Sequence, residues 1–198
     1  KAAKMNDLIS KHPMDGIRFT KPVRATDDSK FLTRDEQRVF LETARHSHNY
    51  NQYALILETG LRTGEMIGLT WDAIDFEKRT LTVNKTLEFR HSQQYWRAGP
   101  PKTQNSYRTI PLTDRAYEIL KEMWDSRGKR KESPMLNQTL EYMDRRTGIS
   151  SQLVMRDLVF INWRTGEPAK NSSYDTHLYK LCDEAGIPRF CMHALRHT

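Results

Sequence analysis

The chain has 198 residues, 37% of them hydrophobic and 29% charged, which is enough for one full domain or for one domain plus a remnant of another. Its 32 lysines and arginines outnumber 25 acidic residues, giving a formal charge of +7 and a pI near 9.4, a balance that favours a polyanionic partner because neutralised phosphates release counterions. No apolar run approaches membrane-spanning length, no signal peptide is expected, and two cysteines, Cys182 and Cys191, argue against a disulfide framework and for a reducing compartment.

Lys1 to Ser10 reads as the end of a helix, with Met5, Leu8 and Ile9 on one side and His12-Pro13 as its stop. Pro13 to Asp28 has the Pro, Gly, Asp and Thr content of a linker. The expected organisation is a helical remnant over 1–12, a linker over 13–30 and a domain over 31–198. The sequence opens on Lys1 and stops at Thr198 inside a helical pattern, so both ends are expected to be cut ends of a longer chain. In Phe31-Leu32-Thr33-Arg34-Asp35-Glu36 a helix opens, with Thr33 as N-cap, Glu36 at the capping-box position and Val39, Phe40 and Ala44 as its apolar face.

A second helix covers Tyr50 to Glu58 and delivers Thr59-Gly60-Leu61-Arg62-Thr63-Gly64-Glu65. Gly60 suits the left-handed residue that ends a helix, and Thr63 suits the cap of the next one, which carries Met66, Ile67 and Leu69. Arg62 is therefore expected on a turn between two buried helices. A guanidinium held there is a poor core group and a good anion clamp, since its fork matches phosphate oxygens. The plain alternative is a local ion pair between Arg62 and Glu65.

Trp71 to Phe76 is turn-rich, and Thr80-Leu81-Thr82-Val83 alternates like a strand. A second β-rich passage, Ser106 to Leu112, is joined to it through the polar stretch from about His91 to Asn105, which predicts a small antiparallel sheet. Thr113-Asp114 opens a helix carrying Tyr117, Ile119, Leu120 and Met123. Ser126 to Gln152, with Arg127, Lys129, Arg130, Lys131, Arg145 and Arg146, reads as a surface insertion of solvated charges around a helix near Leu136 to Met143. Leu158 to Ile161 is predicted as a buried strand, and Arg164 to Glu167 as a turn. A helix capped by Ser172 or Ser173 follows, with Tyr174, Leu178, Leu181 and Ala185 inward and Gly186-Ile187-Pro188 at its end. Cys191 to Thr198 begins a last helix. No internal repeat is visible.

Three sites carry chemistry: Arg62 with Glu65; Lys102 in Pro101-Lys102-Thr103-Gln104-Asn105-Ser106-Tyr107-Arg108; and His193-Ala194-Leu195-Arg196-His197, where His193 and Arg196 share a helix face. Two arginines, a lysine and a histidine converging on one anion suit phosphoryl transfer, which needs positioning and charge neutralisation. His197 reads as a packing residue, and Tyr174 and Tyr179 as core. Cys182, Cys191, His193 and His197 include an i, i+4 histidine pair, but their spacing fits no common zinc finger and the metal assignment is none.

In order, Thr-Gly-Leu-Arg62-x-Gly-Glu65, the hairpin Lys102-Thr-x-x-Ser-x-Arg-x-Ile-Pro-Leu112 and His193-x-Leu-Arg196-His-Thr resemble the three boxes of tyrosine recombinases, and the whole resembles integrases of Gram-positive conjugative transposons. The likeness runs from about Leu32 to the end, with Lys1 to Lys11 similar to the last helix of the family's core-binding domain. It implies an α+β fold, a mostly helical catalytic domain with a small antiparallel sheet and β-hairpin. It also implies site-specific recombination of double-stranded DNA in a mobile element through a 3′-phosphotyrosyl link, with no metal, ATP or other cofactor, in a tetrameric synapse in the bacterial cytoplasm.

By the same resemblance, Arg62 and Arg196 grip the scissile phosphate, and Lys102, on a flexible hairpin in the minor groove, protonates the leaving oxygen. His193 bonds the phosphate and assists proton transfer, while Glu65 orients its neighbours. Thr103, Arg108, Lys170 and Asn171 are candidates for DNA-backbone contacts. The family's nucleophilic tyrosine lies downstream of the second arginine, whereas the last of the eight tyrosines here, Tyr179, precedes Arg196. The expectation is that this chain grips DNA without cleaving it; the alternative is a non-catalytic DNA-binding module with the same fold.

Overall fold

The computed structural model describes residue 10 and residues 31–101, 103–129, 139–144, 147–162 and 165–198. The expected helical remnant and linker over 1–30 lie outside that set apart from Ser10, as does Lys102. Local capping chemistry sets the first helix, α1 (Arg34–Ala44): Thr33 Oγ1 accepts from the Glu36 N–H at 3.2 Å, and Glu36 Oε2 accepts from the Thr33 N–H at 2.8 Å. Phe40 and Ala44 turn inward from it as expected, but Val39 faces solvent. Helix α2 (Tyr50–Thr59) ends where Gly60 takes φ +63°, a left-handed conformation in which a Cβ would be strained.

After two extended residues comes α3 (Thr63–Ile67). Its N-cap is Arg62 and not Thr63, which is already the first helical residue; the Glu65 carboxylate, accepting from the Arg62 N–H at 2.9 Å, supplies the cap in place of a hydroxyl. At the other end of α3 a Cβ on Gly68 would lie 2.8 Å from the Leu87 nitrogen, so only glycine lets helix backbone meet strand backbone there.

Two sheets follow. The first joins β1 (Ile74–Asp75), β2 (Thr80–Val83) and β5 (Arg108–Pro111) in antiparallel register, with Ile74 opposite Leu81 and Leu81 opposite Ile110. The second, which the sequence reading missed, is ordered β3 (Thr86–Arg90), β4 (Tyr95–Gly99), β6 (Thr139–Met143), β7 (Ser150–Val154). The first is the small antiparallel sheet expected from Thr80–Val83 and Ser106–Leu112; in the second the β4–β6 pair is parallel, with Arg97 opposite Glu141. The helix predicted near Leu136 to Met143 is also corrected, since Thr139–Met143 is strand. Pairing with β4 on one side and β7 on the other satisfies its backbone, which outweighs a marginal helical pattern. Arg130, Lys131, Arg145 and Arg146 of this insertion lie outside the described residues. Residues 103–112 do not form a hairpin by themselves; a 3-10 turn, Gln104–Ser106, leads into β5, whose partner is β2.

Helix α4 (Asp114–Ser126) is capped by Thr113 Oγ1, which accepts from the Ala116 N–H at 3.2 Å. Leu158, Val159 and Phe160 are buried, as expected, but they make no strand. They touch the chain near Thr70 through a single bridge, with the Val159 N–H donating to the Leu69 carbonyl at 2.9 Å, because Asp157 (φ +53°) bends the chain there. The turn that follows closes around Gly166, whose N–H donates to the Asn162 carbonyl, while Arg164 lies outside the described residues.

Helix α5 (Asn171–Ala185) starts from an extended Lys170, so Ser172 and Ser173 fall inside it and neither caps it. Tyr174, Leu178 and Leu181 are buried, Ala185 only partly, and Gly186 at φ +67° ends the helix. Helix α6 (Met192–His197) closes the described chain, with Thr198 Oγ1 donating to the Ala194 carbonyl and accepting from the Leu32 N–H, both at 3.0 Å.

Helix α2 runs through the middle of the apolar core, packed against α4 and α6. Phe40 sits 5.6 Å from the Tyr53 ring and 5.1 Å from Phe190, and Tyr53 Oη donates to the Tyr174 carbonyl. Tyr174 is buried and its phenol is pushed up to about 12 by desolvation, so it is a core residue. Tyr179 is half-buried at the core's edge. No described helix is long and apolar enough to cross a membrane.

Candidate functional site

Four elements bring their polar side chains to one place: the turn after α2, α3, β5 and α6. At the centre is the Glu65 carboxylate, whose residue is 2% exposed. Arg62 Nη1 donates to its Oε1 at 2.8 Å, Arg108 Nη2 to its Oε2 at 2.8 Å and Arg108 Nη1 to its Oε1 at 3.2 Å. Arg196 Nη1 lies 4.0 Å from Glu65 Oε2 and donates to the Gly60 carbonyl at 2.7 Å. The left-handed turn at Gly60 thus aims a backbone oxygen at the guanidinium arriving from the far end of the domain.

Burial alone would raise the Glu65 carboxyl, but hydrogen bonds from Arg108 and Arg62 outweigh it and hold it below the ordinary carboxylate range. Arg196 is shifted down, first by burial and then by the neighbouring charge of Arg62. Three guanidinium groups share one carboxylate, so the cluster keeps a positive excess that a second anion can meet. The local pair between Arg62 and Glu65 is present, and it leaves the Arg62 side chain 39% exposed while Glu65 is enclosed.

Ser106, 4% exposed, is a member that sequence reasoning missed: its Oγ accepts from Arg62 Nη1 at 3.3 Å and meets Thr103 Oγ1 at 2.9 Å. Its carbonyl accepts from Arg108 Nη1 at 3.1 Å. The one signal in the sequence was its place just ahead of Arg108, at the end of the 3-10 turn that leads into β5. Arg108, expected at a DNA backbone, is committed to Glu65, and Thr103 reaches the cluster through Ser106.

Lys170 and Asn171 stand elsewhere, at the start of α5. Lys170 Nζ lies 3.8 Å from the centre of the Phe89 ring, and Lys170 lines a separate cavity of about 640 Å³ with His48, Asn49 and Gln52. Lys102 lies outside the described residues, so its place beside the cluster is an expectation.

On α6, His193 is exposed, and its imidazolium is disfavoured by burial first, then by His197, Arg196 and Arg62. His197, expected to pack, is exposed as well: its Nε2 stands 2.9 Å from that of His193, with the rings 4.5 Å apart and edge to face. One helical turn separates the two, so the next turn carries them onto the same side, away from the core. Cys182 is buried and Cys191 exposed, and among the described residues no three His, Cys, Asp or Glu form a metal-sized group.

The sequence profile of the phage integrase family matches residues 30–198. Among curated proteins, the chain is 27% identical to the transposase from transposon Tn916 of Enterococcus faecalis over 98% of this chain and 45% of the relative. It is 28% identical to a XerC-like tyrosine recombinase of Caldanaerobacter subterraneus subsp. tengcongensis, over 96% of this chain and 48% of the relative. The chain thus spans about half the length of the curated relatives it matches. Among solved structures, it superposes on the Tn1549 transposon integrase in complex with transposon right end DNA with a TM-score of 0.75 at 23% identity, covering 98% of this chain and 59% of that one. Against the XerA recombinase the TM-score is 0.58 at 17% identity, over 98% of this chain and 55% of that one. These superpositions establish a shared fold.

Proposed function

The chain belongs to the phage integrase family of tyrosine recombinases, and from that premise we propose that it is the phosphate-gripping part of a site-specific recombinase acting on double-stranded DNA. The observation that carries the reading is the meeting of Arg62 and Arg196, from opposite ends of the domain, over one buried carboxylate. In this reading the two guanidinium groups hold the non-bridging oxygens of the scissile phosphate and stabilise the charge of the pentacoordinate transition state. Losing one such donor typically costs about 10²–10³ in rate. Glu65 reacts with nothing; it fixes Arg62, Arg108 and Arg196 in place, so that the site is organised before DNA arrives. Lys102 acts as general acid to the leaving 5′-oxygen, a role worth roughly 10²–10⁴. His193 bonds the phosphate and assists proton transfer with the nucleophile.

The attacking group is a tyrosine, joined to the DNA 3′-phosphate in a link that conserves bond energy and needs neither metal nor ATP. No tyrosine of this chain follows Arg196, and Tyr174 and Tyr179 belong to the core and its edge. We therefore assign cleavage and rejoining to a longer protein with this domain, working as a tetramer on DNA, with residues 1–12 as part of a core-binding domain and 13–30 as the linker. This chain by itself binds DNA without cutting it. Relatives that include transposon and phage integrases support a mobile element as the setting.

The test has two arms. With this chain alone, incubation with duplex DNA and denaturing electrophoresis should reveal no covalent adduct; an adduct overturns the division of labour. In the longer protein, Arg62→Glu and Arg196→Glu should each abolish strand cleavage while leaving most DNA affinity, which many phosphate contacts share. Cleavage retained by both variants overturns the phosphate-site assignment.

A further inference from the structure

His197 plays no part in the reading above, yet its Nε2 stands 2.9 Å from that of His193. We propose that His197 is a positioning residue that holds His193 by its Nε2, so that an entering phosphate and His197 exclude one another at that atom. This inference rests on the reading of His193 as a phosphate partner.

The argument begins with the geometry. Two imidazole nitrogens 2.9 Å apart are bonded only if one carries a proton and the other a lone pair. The two rings therefore hold a single proton between their Nε2 atoms, and at least one ring is neutral. With both rings protonated, two N–H donors would face each other and the contact would open. The charged groups acting on His193 are Arg196 on α6 itself and Arg62 from the turn after α2; Glu65 and Arg108 act on Arg196 in turn, and Asp175 of α5 accepts from the Met192 N–H, one residue before His193, at 2.9 Å. Burial first, then His197 and the two arginines, disfavours the His193 imidazolium. The edge-to-face packing of the two rings, 4.5 Å apart, limits rotation of His193 while the bond is made. An anion between Arg62 and Arg196 then presents oxygens to the same side of α6, and a phosphate oxygen is a stronger acceptor for an Nε2–H than a second imidazole. The pair is a resting arrangement that substrate replaces.

The experiment uses this chain labelled with ¹⁵N-histidine, with inorganic phosphate as probe, and long-range ¹⁵N–¹H spectra from pH 5 to 8. In the wild type, the Nε2 signals of His193 and His197 should report one proton shared across their 2.9 Å contact. Phosphate should shift the Nε2 signals of both, although only His193 meets the anion. His197→Phe keeps the ring but removes the nitrogen; it should raise the His193 pKa and tighten phosphate binding roughly 2–10-fold, the worth of one released hydrogen bond. His197→Gln, which retains a hydrogen-bonding group, should fall back toward wild-type affinity.

Absence of a shared Nε2 proton, or phosphate that shifts His193 but binds His197→Phe no more tightly, overturns the competition alone. Phosphate that perturbs neither histidine in any variant, and binds Arg62→Glu as it binds wild type, overturns the phosphate site together with the competition built on it.

Discussion

Among the described residues, two carboxylates each meet a guanidinium with both oxygens, and they differ in almost everything else. At the end of α5, Asp183 takes Nε and Nη2 of Arg189 at 2.8 and 2.7 Å, with side chains 51% and 62% exposed. At the heart of the site, Glu65 takes both terminal nitrogens of Arg108 with its own side chain 1% exposed and that of Arg108 26% exposed. Geometry alone would rank the exposed pair as the better bond. Burial reverses the ranking: water competes for every partner of Asp183, whereas Glu65 depends wholly on Arg62, Arg108 and Arg196. The exposed pair is local, between residues six apart, while the buried one ties together three segments distant in sequence. The same chemistry is decoration in one place and architecture in the other.

Glu65→Ala is the hardest blow to the buried side of that contrast. Leaving three guanidinium groups without their shared carboxylate should cost about 3–5 kcal/mol in urea unfolding, the usual cost of breaking one side of a buried charge pair. A loss below about 1 kcal/mol would mean that water already serves the cluster, and the contrast would collapse. Acid offers a gentler route to the same group. Because the folded state holds the Glu65 carboxyl below its ordinary value of 4.5, the unfolded chain binds the proton first. The stabilisation is complete above that value and is lost as pH falls through the lower folded pKa. Unfolding curves between about pH 5 and 3 should therefore be steeper in wild type than in Glu65→Gln.

Arg108→Ala comes next. Removing two charge-assisted hydrogen bonds from a buried acceptor should cost about 1.5–3 kcal/mol. Were Arg108 instead a DNA-backbone contact, as its sequence context suggested, DNA affinity would fall and stability would stay put. Gly60→Ala should cost about 1–2 kcal/mol, because alanine resists the left-handed backbone that turns the Gly60 carbonyl toward Arg196. At the small end, Arg189→Ala should leave the urea midpoint within error of wild type. A clear drop there would show that exposure does not discount the second pair.

Much of this architecture was legible because its signals are local. The Thr33–Glu36 box, the glycines at 60 and 186 and the apolar spacing of α2 and α4 act within one or two turns of helix. Arg62, Glu65, His193 and Arg196 stood out because their residue types are poor core material at positions flanked by core. What stayed hidden depends on partners far along the chain. Thr139–Met143 becomes strand through β4, some forty residues earlier, and nothing inside those five residues announces it. Arg108 looked like a free surface cation because its acceptor lies on a different element. His197 looked apolar-facing because the sequence does not record which side of a six-residue helix the core occupies.

The seam at Gly68 has a mechanical consequence. With Leu87 backbone where any side chain would have to go, the short helix carrying Glu65 and the first strand of the second sheet meet without a compressible layer between them. Side chains can change rotamer and absorb displacement; backbone in direct contact cannot. A push on the β3–β4 hairpin is therefore delivered as a shift of α3 as a whole, so the hairpin works as a lever whose fulcrum is a single missing methyl group.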